Sequence, residues 1–181
     1  RIPEGAWAFY RLADAGGCAS LAGALIRLLP AGDETLLRDN SRLTEIKRER
    51  AVIAAGYFSK NAPHWDQIRS LHIAETEVES ALCDLLGNEP VEHLLDLGTG
   101  TGRILLLLKD LAQRGTGIDF SREMLAIARA NLERAGLTNY QVRLGEMQSL
   151  PLADATVDLV SMHLVLHYLD TPLLAIREAA R

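Results

Sequence analysis

One stretch constrains this chain more than any other: Leu94-Leu95-Asp96-Leu97-Gly98-Thr99-Gly100-Thr101-Gly102-Arg103. An apolar run ends in an acid, three glycines follow at alternate positions, and a second apolar run starts at Ile104. A buried strand that must turn at once into a helix carries this pattern. Glycine permits the tight turn and lets backbone approach a ligand with no Cβ in the way. The spacing predicts a strand over 91–97 and a helix over 102–111. The alternation then continues. Residues 115–120 read as a second strand, and Ser121 reads as the N-cap of a helix ending at Gly136. That helix is expected to bury Leu125, Ala128, Leu132 and Ala135. Residues 140–144 and 157–164 read as third and fourth strands, and Thr171-Pro172 opens a further helix. Strands alternating with helices predict an α/β fold with a doubly wound parallel sheet, whose ligand sits at the carboxyl ends of the strands.

The glycine spacing separates two cofactor classes. A dinucleotide loop of the form G-x-G-x-x-G starting at Gly98 needs glycine at position 103, which is Arg103 here. The loop is instead G-x-G-x-G with Asp96 just before it. A carboxylate beside the ligand suits a cation better than a pyrophosphate. S-adenosylmethionine carries a sulfonium and an ammonium and no phosphate. The competing reading is a glycine turn that binds nothing. Asp119 closes the second strand, 17 residues after Gly102. A carboxylate there can accept both ribose hydroxyls of an adenosine, although a lone Asp at a strand end also serves as a turn or cap residue. Phe120 suits either the adenine face or the core.

Asp96 to Gly102, followed by Gly117-Ile118-Asp119-Phe120-Ser121, resembles the first two motifs of class I S-adenosylmethionine-dependent methyltransferases. Gly145-Glu146-Met147 and Val157 to His163 are similar to the later ones. The resemblance covers about residues 50–181. It implies a Rossmann-like sheet and S-adenosylmethionine as cofactor, held by Asp96, Gly98, Thr99, Gly100, Thr101, Gly102, Asp119, Phe120, Met124, Glu146, Met147 and Ser161. Glu146 stands where that family usually has Asp toward the adenine amino group, and Met147 would flank the adenine. Four strands are found where the family usually has seven. The expectation is therefore a domain cut after its fourth strand, which would leave that strand at an open edge.

The first 50 residues read differently. Eight basic and seven acidic residues give them a net charge of +1, against −6 for the rest. A short strand over 6–12 follows a turn, Gly16-Gly17 breaks it, and residues 18–29 read as an apolar helix ended by Pro30. Residues 33–61 form a long helical pattern with Leu36, Leu43, Ile46, Ile53 and Tyr57 on an a/d stripe, the kind of stripe that packs on another helix. Residues 65–71 read as a turn, and Glu75–Leu86 as an amphipathic helix packing Val78, Ala81, Leu82 and Leu85. Glu4 to Leu12 with its following helix resembles the wing and last helix of an ArsR-type winged-helix repressor. The resulting expectation is two domains, residues 1–50 and 51–181. It implies a parent protein that binds DNA through its winged helix, and a homodimer paired through the long helix.

The net charge of −5 (19 basic, 24 acidic) disfavours non-specific nucleic-acid binding by the whole chain. No apolar run reaches the roughly 20 residues of a membrane span. Cys18 and Cys83 lack partners at metal-ligand spacing, so both read as buried thiols, no metal is expected, and a reducing cytoplasm fits. Direct displacement of a methyl group needs alignment first and a base only if the acceptor must lose a proton. His163, near the end of the fourth strand, is the candidate base, with a structural role as its alternative. Two further functions compete with methyl transfer to a small-molecule or other acceptor. One is a regulator that binds S-adenosylmethionine as an effector without catalysis, and the other is a nicotinamide oxidoreductase.

Overall fold

A computed structural model of the chain describes residues 2–4, 7–9, 19–30, 32–70 and 75–181. The expected break at Gly16-Gly17, the thiol of Cys18 and the segment Leu71-His72 lie outside the described residues. The chain divides into two compact units, residues 1–51 and 52–181.

In the first unit, β1 (Ile2–Glu4) and β2 (Trp7–Phe9) form an antiparallel hairpin that pairs Ile2 with Phe9 and Glu4 with Trp7. Helix α1 (Ala19–Arg27) gives way to a turn at Leu28 before Pro30. Helix α2 (Glu34–Asn61), of which residues 34–51 belong to this unit and 52–61 to the second, starts where the Asp33 carboxylate accepts the Leu36 N–H at 3.0 Å, which satisfies one of the open donors of the first turn. Leu36, Leu43, Ile46, Ile53 and Tyr57 of its stripe are all exposed.

Residues 62–64 make one 3₁₀ turn around Pro63. The segment read as a turn after it is a helix, α3 (Trp65–Ser70), because the proline starts a new helical run instead of ending the structure. Helix α4 (Glu75–Leu86) ends at Gly87, whose φ of +68° is the left-handed cap that glycine allows. Its inward face differs from the expected one: Leu82 and Leu86 pack on the core, whereas Leu85 is 82% exposed. Cys83 is exposed as well, not buried.

The sheet has strands β3 (Val91–Leu97), β4 (Ala112–Asp119), β5 (Tyr140–Leu144) and β6 (Leu159–Ser161), in the order β5-β4-β3-β6, all parallel. This is the expected Rossmann-like, doubly wound arrangement. From β3 the chain winds outward to β5 and then returns to the other side of β3, so the winding reverses between β3 and β6. Buried on both faces from His93 onward, β3 carries the apolar Leu94, Leu95 and Leu97 with the polar His93 and Asp96 among them. Leu94 faces a core with Ile104, Leu105, Leu125, Ala128 and Leu132, and Leu95 and Leu97 face a second core with Ile118, Leu150 and Ala175.

Three boundaries depart from expectation. Helix α5 spans only Arg103–Leu107 and then turns, although Leu108 and Leu111 continue the apolar pattern. β4 begins at Ala112 because Val91 of β3 pairs with it, so the neighbouring strand sets its start. β6 is three residues long. Before it, the Asp158 carboxylate takes the His93 N–H at 2.8 Å, a position that a ladder bond would otherwise fill, and after it Leu164 turns to φ +53°. β6 lies at the sheet edge, as expected.

Helix α6 (Arg122–Arg134) has the predicted cap: Ser121 Oγ accepts the Met124 N–H at 3.2 Å. Its end is a glycine cap, with Gly136 at φ +70° and the Leu137 N–H on the Leu132 carbonyl. Met124, Leu125, Ala128 and Leu132 are buried, while Ala135, on the last partial turn, is exposed. Helix α7 (Pro172–Ala180) buries Ala175 completely, and its Glu178 carboxylate accepts the Leu150 N–H at 2.7 Å.

Candidate cofactor site

The loop at residues 98–102 leaves the carboxyl end of β3 at the winding reversal. Gly98, Gly100 and Gly102 have φ of +70°, +54° and +81°, all in the left-handed region that a Cβ disfavours. At Gly98 space is limiting too, since a Cβ would stand 2.4 Å from Cγ2 of Val165.

The loop uses its own donors. The N–H groups of Gly98 and Thr99 both reach the Ile118 carbonyl, at 2.8 and 3.1 Å. The Gly102 N–H donates to the Thr99 carbonyl at 2.8 Å, and the Gly100 N–H donates to Oδ2 of Asp119 at 2.9 Å. A pyrophosphate-binding loop points such donors at its ligand. Here they are satisfied internally, and the acidic groups Asp96 and Asp119 stand at the strand ends beside them. That donor and acceptor set fits a cationic, ribose-bearing ligand and does not fit a dinucleotide pyrophosphate. Arg103, at the missing third glycine, forks onto the Glu79 carboxylate with two 2.6 Å bonds and ties α5 to α4.

Asp119 is 8% exposed, and its second oxygen accepts the Ser121 N–H at 2.9 Å. Each oxygen thus keeps acceptor capacity after its backbone bond. Burial pushes the carboxyl above its ordinary range, and the bonds from Ser121, Gly100 and Phe120 pull it part of the way back. Asp96 is fully buried near the end of β3, and Ser161 Oγ of β6 donates to its Oδ1 at 2.7 Å.

The other expected residues divide. Thr99 is buried with its hydroxyl against β4, where a Cβ on Gly117 would stand 2.7 Å from it. The Thr101 carbonyl accepts from Asn131 Nδ2 at 3.0 Å. Met124 packs with Phe58 and Ala62, and Met147 packs among Leu95, Leu97 and Ile118. Glu146 is exposed in a turn closed by the Ser149 N–H on its carbonyl. Phe120 is 45% exposed and meets Phe58 edge to face, and His163 is half-buried just after β6.

Sequence reasoning missed two features. Phe58 sits at the centre of an aromatic cluster with Tyr57, Trp65, Phe120 and Tyr168. Nothing local signals it, because its members come from four separate segments. The second is His93, buried on β3. Its Nδ1 lies 2.9 Å from the Thr156 carbonyl and its Nε2 lies 2.9 Å from Thr116 Oγ1. A carbonyl can only accept, so in the neutral ring Nδ1 carries the proton and Nε2 accepts from Thr116.

The methyltransferase domain family matches residues 95–181. An uncharacterized 37.1 kDa protein in transposon TN4556 of Streptomyces fradiae is 33% identical over 161 residues, 85% of this chain and 44% of that protein. A crystal structure of a SAM dependent methyltransferase from Aquifex aeolicus is 30% identical at a TM-score of 0.51, over 57% of this chain and 56% of that one. A structure of a candidate S-adenosyl-L-methionine-dependent methyltransferase from Methanococcus maripaludis is 26% identical at a TM-score of 0.57, over 68% and 57%. The chain spans about half the length, or less, of the curated relatives it matches. No helix among the described residues is long and apolar enough to cross a membrane. By domain match and fold, residues 95–181 are similar to class I methyltransferase domains, and the chemistry of the strand-end acids fits the S-adenosylmethionine that such domains use.

Proposed function

We propose that the protein transfers a methyl group from S-adenosylmethionine to a small-molecule or other acceptor. The observation that carries this reading is the pair of buried acids, Asp96 and Asp119, flanking a glycine loop whose donors are internally satisfied. When bound, S-adenosylmethionine supplies a methyl group activated by its sulfonium. Asp119 accepts from the ribose hydroxyls with the capacity its backbone bonds leave. Asp96, oriented by Ser161, faces the cationic end. Gly98, Gly100 and Gly102 allow close approach, and Thr99 and Thr101 contribute through their backbone. Phe120 and Glu146 border the adenine, while Met124 and Met147 support that wall from the core side. His163 takes a proton at its ring nitrogen only where the acceptor must lose one.

The same proposal assigns residues 1–50 to the end of an ArsR-type winged helix and residues 51–181 to the methyltransferase domain. The β1–β2 hairpin followed by α1 supports a wing and last helix. DNA binding would belong to the winged helix of the parent protein, and the exposed Leu36, Leu43 and Ile46 of α2 support pairing with a second copy.

Calorimetry of the full chain with S-adenosylhomocysteine and with NAD tests the site. Binding of the first and not the second is expected, and binding of NAD alone overturns the reading. Transfer of labelled methyl to an acceptor pool tests the activity. Cofactor binding that persists without any turnover would establish an effector role instead.

A further inference from the structure

We propose that the acceptor is a flat, uncharged ring system, held on the aromatic cluster around Phe58. This rests on the methyltransferase reading above. The chain has nine Phe, Trp and Tyr residues. Trp7, Phe9 and Tyr10 fall in the first unit, and Tyr140 packs under the sheet on Gly115. The other five form one cluster in the second unit.

Phe58 is 8% exposed, and around it the ring centroids of Tyr57, Trp65, Phe120 and Tyr168 lie at 5.9, 5.1, 5.8 and 5.0 Å, all edge to face. Tyr57, Phe120 and Tyr168 are each close to half exposed. The half-exposed Tyr57 and Tyr168, packed on the buried Phe58 beside the Phe120 ring that borders the adenine, form an apolar surface that the core does not use, the kind that marks a binding site. Its position fits the reaction. Phe120 directly follows Asp119, and Trp65 Nε1 is 3.9 Å from where a Cβ on Gly100 would stand.

The contacts also select the ligand class. A cation binds to ring faces. The ring planes here stand at 63–84° to one another, so the half-exposed rings present edges as well as faces. Exposed edges and remaining faces suit another ring, added edge to face or offset. Burial, and then the neighbouring Tyr57, hold the Tyr168 hydroxyl above its ordinary range, so it stays a protonated donor.

The test titrates 2-naphthol, and separately tetramethylammonium, into the full chain saturated with S-adenosylhomocysteine. Naphthol is expected to bind and the ammonium ion is not. Tyr168→Ala and Tyr57→Ala should each weaken naphthol about tenfold, the equivalent of about 1.4 kcal/mol, with S-adenosylhomocysteine affinity unchanged. Tyr168→Phe should retain naphthol binding, because the ring and not the hydroxyl carries it. Three results overturn the inference while leaving the cofactor reading intact: no naphthol binding to the saturated chain, binding of the ammonium ion in its place, or an equal loss of both affinities in the alanine variants. Failure of S-adenosylhomocysteine to bind the unmodified chain overturns both.

Discussion

The carboxylate of Asp119, at the end of β4, reaches the backbone N–H of Gly100 at 2.9 Å and so fixes the middle of the loop that follows β3. One side chain therefore shapes the loop and offers acceptors beside it. Asp119→Ala should weaken S-adenosylhomocysteine binding by about 1–3 kcal/mol, the usual loss for hydrogen bonds to a charged group. Calorimetry reads this directly, and an unchanged affinity would place the ribose elsewhere.

The same residue makes a pH prediction. Its carboxyl is raised in the folded chain by burial, above the ordinary 3.8. Between those two values the folded state binds more protons than the unfolded one, so stability falls as pH rises through that window. The ionised group is a destabilising element at neutral pH that disappears as pH drops through the raised value. The melting temperature of the wild type relative to Asp119→Asn should therefore climb as pH is lowered from 7 toward 4. A difference that stays flat, or shrinks, contradicts the assigned shift.

Gly98→Ala should be destabilising for two separable reasons. The left-handed φ of +70° costs about 1–2 kcal/mol for a residue with a Cβ. Overlap with Val165 at 2.4 Å adds about 1–3 kcal/mol of overpacking. Adding Val165→Ala should recover the second part and not the first, as read from urea midpoints. Full recovery would mean that the backbone tolerates the conformation.

His93 bridges the Thr156 carbonyl and the Thr116 hydroxyl inside the sheet. His93→Leu should cost about 1–3 kcal/mol, because it leaves buried polar partners unsatisfied. Thr116→Val on that background should cost less than Thr116→Val alone, since it removes a group the first change has already stranded. Equal costs in the two backgrounds would show that the 2.9 Å contact carries no coupling.

Most of the fold was legible because its signals are local. Ser121 caps α6, Gly87 and Gly136 end their helices, and the acid–glycine pattern at Asp96–Gly102 marks the turn after β3. The misses have tertiary causes. Leu108 and Leu111 read as helix because an apolar residue packs equally well from a helix or the turn after it. Ala112-Gln113-Arg114 carry no strand signal, and only their pairing with β3 makes them one. At the site, the strand-end acids could be read from position. The internal satisfaction of the loop's amides could not, since it depends on the Ile118 carbonyl and the Asp119 carboxylate, which arrive from the next strand.

That satisfaction sets how the loop meets its ligand. A segment held by four bonds to its own sheet and turn needs no ordering when the ligand arrives. Less conformational entropy is then lost on association, and affinity depends on contact quality instead of on closing a disordered strap. Backbone amides of Gly98, Thr99, Gly100 and Gly102 should exchange slowly with solvent in the free protein and change little on saturation with S-adenosylhomocysteine.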